Sequence, residues 1–93
     1  MNKVIVITKN EGFIYGRCVH HDVASRYVEL RDVVDLSNDI KLFLRESDIS
    51  TIVTCGPRSD IELPPMIKGI NVYDVVAIVE CSEAAAAAFE KNR

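Results

Sequence analysis

A β-branched run and a second strand-like run lie within the first twenty residues, separated by a short polar connection. Lys3 to Thr8 reads Lys-Val-Ile-Val-Ile-Thr, with no helix former after Lys3. Lys9-Asn10-Glu11-Gly12 follows, a connection of hairpin length in which Asn10 and Gly12 tolerate positive φ. Phe13 to Val19 then supplies a second strand pattern. Strands this close in sequence pair antiparallel, so everything downstream has to pack on an antiparallel sheet.

The rest of the chain fits that frame. Gly16, inside the second strand, marks a bulge or a close approach by another backbone or a ligand. His20-His21-Asp22 with Ala24 and Ser25 reads as a loop. Arg26 to Val34 alternates, with Val28, Leu30 and Asp32 on one side and Tyr27, Glu29 and Arg31 on the other. Leu36, Ile40, Phe43 and Leu44 recur at helical spacing behind Ser37, a capping residue, with Asp39 in the first turn. This predicts a helix over about 38–46. Thr51 to Thr54 reads as a short strand that ends at Cys55-Gly56-Pro57. Over 60–69, Pro64-Pro65 forbids a central strand and favours an extended edge. Val72 to Cys81 is apolar at nearly every position and is expected in the middle of the sheet. Ser82 and Glu83 open a final helix through Ala84 to Ala88 and Phe89. The expected fold is α+β: one domain over 1–93, a twisted antiparallel sheet of about five strands, one inserted short helix and one C-terminal helix.

Composition narrows the function. Eleven Lys and Arg against fourteen Asp and Glu give a net charge of −3, and no two basic residues adjoin. Binding of DNA or RNA duplexes draws on clustered cations that release phosphate counterions, so that class is disfavoured. A small anionic ligand needs only two or three convergent arginines. No apolar run approaches the roughly 18–20 residues of a membrane span. No leader-like segment precedes the first strand, and a cytoplasmic location is expected. Cys18, Cys55 and Cys81 are odd in number and widely spaced, which suits reduced, buried thiols better than disulfides or a zinc site. Hydrophobic residues make up 48% of the chain, a large share for a core this small, so part of that surface is expected to face another copy. The five alanines offer one such face.

No catalytic constellation emerges. His20 and His21 point oppositely in an extended chain and cannot readily share a metal. Cys55 beside Arg58 lacks an orienting base. The better candidates are binding features. Thr54, Gly56, Arg58 and Ser59 combine two hydroxyls, an approachable backbone N–H and a guanidinium, a set that suits phosphate. Tyr15 and Arg17, with Phe13, share a face of the second strand, and Tyr27 and Arg31 could lie across from them. Rings beside guanidinium groups can stack a base while the cations hold phosphates. An Arg17–Glu29 surface pair is the plainer alternative.

The segment order Val4-Ile5-Val6-Ile7-Thr8, Gly12-Phe13-x-x-Gly16-x-Cys18, Tyr27-Val28-Glu29-Leu30-x-Asp32 and Val79-Glu80-Cys81-Ser82 resembles a family of small tailed-bacteriophage proteins. Those proteins carry a Ser-Ala-Gly-Val-x-x-Gly-like hairpin and a terminal helix. Gly12 and Gly16 match its motif, whereas Val33, Val34 and Asp35 stand where the family carries Arg-Arg and Trp. Small phage proteins of this build include oligomeric sponges that sequester cyclic-nucleotide immune signals. The resemblance implies a non-enzymatic, cofactor-free anti-defence protein of the host cytoplasm that forms a homo-oligomer. On the residue chemistry above, and not from the family motif, the ligand groups would be Arg17, Arg31 and Arg58 for phosphates, Tyr15 and Tyr27 for stacking, and Thr54, Gly56 and Ser59 as neutral donors. The rival expectation is an oligomeric interaction module that docks on a host or virion protein.

Overall fold

The computed structural model describes residues 2–10, 12–36, 49–57 and 62–91. The first two runs form the expected hairpin, β1 (Lys3–Thr8) and β2 (Phe13–Asp22), with Ile5 opposite Tyr15 and Lys3 opposite Arg17. β2 runs on through His20-His21-Asp22, which were expected in a loop. The chain turns only at Val23–Arg26, where Asp22 Oδ1 accepts from the Ala24 and Ser25 amides. β3 (Tyr27–Asp35) returns along β2. A short helix α1 (Ile49–Cys55), strands β4 (Ile67–Val72) and β5 (Val75–Glu80) and a terminal helix α2 (Glu83–Glu90) complete the described chain. All five strands share one antiparallel sheet in the order β4-β3-β2-β1-β5, the α+β architecture expected from the sequence.

Consecutive β4 and β5 occupy opposite edges of this sheet, yet only Tyr73 and Asp74 join them. In a flat sheet of five strands the edges would stand about 19 Å apart. The three Cα steps from Val72 to Val75 span at most about 11 Å. The sheet must therefore roll until its edges approach, and the Val75 amide donates to Arg26 O at 3.1 Å where they meet. Asp74, at φ 56°, makes the corner. This corrects the expected central strand at Val72 to Cys81. The run is the end of one edge strand and the whole of the other; only Val72 and Val75, at the corner, are buried, while Tyr73 and Val76 are exposed.

Rolling gives the sheet two apolar faces with different covers. The inner face holds Val4, Val6, Ile14, Val28, Leu30, Val33, Val72 and Val75, which among the described residues pack only with other strand residues. The outer face holds Ile5, Tyr15 and Val34 beneath Leu36, Ile52, Val53, Ala86 and Phe89. Three irregularities adjust the ladders. Between Tyr15–Val34 and Arg17–Arg31, β3 uses one more residue than β2, and Asp32 takes φ 54° there. Asp32 is thereby exposed instead of joining Val28 and Leu30, and Val33 takes the inner position. Val19 is the extra residue on β2 and Val76 the extra residue on β5. Gly16 lies under Leu30, whose Cβ would stand 3.1 Å from a methyl group there, so its expected close approach is met by this neighbour.

The strand expected at Thr51 to Thr54 is instead part of α1. Ile49, Ile52 and Val53 fall at helical spacing and all pack on the outer-face cluster. A four-residue β-branched run carries too little periodicity to separate strand from helix, and burial decides. The helix expected over 38–46 lies outside the described residues. The capped C-terminal helix forms as expected, with Ser82 Oγ accepting from the Ala85 amide.

Candidate functional site

The eight residues expected to hold a ligand separate into distinct places. Tyr15 is fully buried, its ring stacked on Phe89 with centroids 4.4 Å apart. Its hydroxyl donates to Glu90, which also accepts two bonds from Lys3 Nζ, at 2.8 and 3.0 Å. Burial and the adjoining carboxylate push the Tyr15 hydroxyl well above the ordinary tyrosine range. This ring is a core member that docks α2, and no base can stack on it. The strand alternation was read correctly, but α2 covers that part of the face.

Thr54 and Gly56 serve the junction between α1 and α2. The Gly56 amide donates to Ile52 O at 2.8 Å, closing the helix, so the approachable N–H expected there is already used. Its φ of 85° is a left-handed helix end that suits glycine. A methyl group at Gly56 would stand 2.5 Å from Ala88 Cβ, so this glycine and the alanine-rich helix are matched in size. Ala85 and Ala86 are buried within the same chain. Thr54 Oγ1 donates to Ser50 O, and Thr54 O accepts from Ser82 Oγ. Arg58 and Ser59 lie outside the described residues. Cys55 is exposed and Cys18 and Cys81 only half-buried, which corrects the expectation of buried thiols. Burial pushes the Cys81 thiol up to about 11, and neighbouring Glu80 adds to this.

The remaining three residues share one surface of β2 and β3. Arg17 and Arg31 face each other across β2 and β3, and Tyr27 lies two alternations from Arg31 on the same strand. Each guanidinium has a carboxylate. Arg17 Nε lies 3.4 Å from Asp32, and Arg31 pairs with Glu29, so the expected Arg17–Glu29 pairing is exchanged between neighbours. Gly69 stands opposite Arg31, whose side chain lies over it; a methyl group there would come within 2.7 Å of Nη1. Tyr27 also meets two rings the sequence reading did not pair with it. Tyr73, 63% exposed, lies 5.2 Å away by centroid, and His20 lies 6.0 Å away. Partial desolvation, then the nearby Glu29 carboxylate, push the Tyr27 hydroxyl up, so it remains a donor at neutral pH.

Tyr73 escaped the sequence reading because it was placed within a continuous central strand. The signal available was the Asn71-Val72-Tyr73-Asp74 step, where an aspartate interrupts the apolar run. The assembled patch thus carries three aromatic rings and two guanidinium groups on the sheet's outer surface. No family model matches the chain, and no curated protein matches it in sequence. Among the described residues, no helix is long and apolar enough to cross a membrane.

Proposed function

We propose that this chain is a non-enzymatic binder of an anionic, nucleotide-type ligand, held on the patch of His20, Tyr27, Tyr73, Arg17 and Arg31. The observation that carries this reading is the half-buried Tyr27 ring against the exposed Tyr73 ring, on the same surface as two forked cations on adjacent strands. A base lies on the phenol rings, and a phosphate takes the guanidinium groups. Without ligand, Glu29 and Asp32 occupy those cations in half-exposed ion pairs worth under about 1 kcal/mol each. A bidentate phosphate replaces such a partner at small cost, and the affinity falls as salt rises. Tyr15, Thr54 and Gly56 have no part in this site.

A cyclic dinucleotide, with bases to stack and two negative charges, matches both halves of the patch. Sequestration of such a signal in the cytoplasm of a phage-infected host is the biological role that the sequence resemblance adds. Calorimetry with a panel of cyclic di- and trinucleotides tests the reading. Binding that weakens at least tenfold in both Arg31→Ala and Tyr27→Ala, with the nucleotide recovered unchanged, is the expected result. Gly69→Ala is the finer probe, because its methyl group meets the Arg31 side chain first, at 2.7 Å from Nη1, and Leu30 O at 3.1 Å. It is expected to lower affinity with little change in melting temperature. Absence of heat with every nucleotide, or their hydrolysis, overturns the proposal.

A further inference from the structure

Among the described residues, strand β5 pairs with β1 on one side only. The Cys81 amide donates to Lys3 O at 2.8 Å, which fixes the phase of this antiparallel ladder. With alternate residues exchanging bonds, Ala77 and Val79 turn their backbone groups to Ile7 and Ile5, and those of Ile78 and Glu80 point away from the sheet. Among the described residues, the outer edge of β5 has one bond, from the Val75 amide to Arg26 O at the corner. Beside Val75 to Ile78 lies a groove of about 260 Å³ whose other wall is His21, Val23 and Arg26, at the end of the β2–β3 hairpin. Val23 and Val76 are 75% and 63% exposed there. A strand edge rich in valine and isoleucine that no described strand pairs with is a template for another strand.

We propose that the occupant is β5 of a second copy of this chain, paired antiparallel about a two-fold axis at Ile78. Such pairing joins the outward-facing groups of Ile78 with their own counterparts. It sets Glu80 of each copy opposite Val76 of the other, at the groove end that Arg26 and His21 line. The acidic end of one strand thus meets the basic end of the other copy's groove, and no like charges face one another. Val23 and Val76 pass out of water at the same step. A strand ending in lysine or arginine would lack this match, which is why a second copy is favoured over an unrelated extended segment.

Sedimentation velocity over a concentration series reads the result. Wild type is expected to reach twice its 10.4 kDa mass. Glu80→Pro removes an outward amide and no bond to β1, so it is expected to keep the fold by circular dichroism and raise the dimer dissociation constant at least tenfold. Val76→Glu, which opposes two carboxylates, is expected to dissociate the dimer, and Val76→Lys to retain or tighten it. A wild-type monomer at every concentration overturns the proposal. So does a dimer indifferent to both Glu80→Pro and Val76→Glu. These measurements need no ligand, so they stand or fall apart from the nucleotide reading.

Discussion

Glu90 sits where three elements meet, accepting from Lys3 on β1 and from Tyr15 on β2 while belonging to α2. Partial burial raises its pKa, but the hydrogen bonds from Lys3 and Tyr15 outweigh that and hold it below the ordinary glutamate range. The folded protein therefore binds this proton more weakly than the unfolded chain does. The carboxylate stabilises the fold above the unfolded-state value, and the contribution fades as pH falls through the folded-state one. In melting curves, Glu90→Gln is expected to lie below wild type at pH 7, and the gap is expected to close only as pH falls through the lowered folded-state pKa. Gly56 is the second residue with a measurable role. Gly56→Ala places a methyl group on Ala88 and forces φ 85° on an L-residue, and urea denaturation is expected to show a loss of about 2 kcal/mol or more. Adding Ala88→Gly restores the steric part only, so the double variant recovers part of the loss.

At the scale of elements, the signals that proved readable were those completed within a few residues. The Lys9–Gly12 connection sets the first hairpin, and Thr8 Oγ1 accepts from the Gly12 amide across it. Ser82 caps α2 as its position before Glu83 and the alanines implies. The reading failed where a distant partner decided. Thr51 to Thr54 has strand-like composition, and it is helical because Ile52 and Val53 must reach the Tyr15–Phe89 cluster. The candidate site divided for the same reason. Alternation established that Phe13, Tyr15 and Arg17 share a face, but a helix 70 residues downstream covers Tyr15 and leaves Arg17 half-exposed. Tyr27 and Arg31 remained together because both stand on one strand, two steps of alternation apart.

For the molecule as a whole, the rolling of the sheet is the consequential event, since among the described residues the inner cluster is built from the strands alone. The Val75–Arg26 bond is the closing contact. If closure is part of the cooperative fold, the Val75 amide exchanges with solvent about as slowly as ladder amides of β1. Exchange at the rate of an unstructured amide would mean that the sheet stands open at this corner. The same closure exposes Tyr73 beside Tyr27, so the proposed ligand patch and the shape of the sheet have a common origin.

By itself, the sequence determined the local grammar of this protein: an antiparallel opening hairpin, strand alternation, a capped alanine helix and the α+β class. These depend on steric and hydrogen-bonding preferences that act over a handful of neighbouring residues. Tertiary structure alone decided that β4 and β5 are edges, that Tyr15 is core, that Gly56 is a packing residue and that Tyr73 joins Tyr27. Each of those outcomes depends on which face a remote segment covers, and burial energy is a property of the assembled surface, not of any stretch of chain.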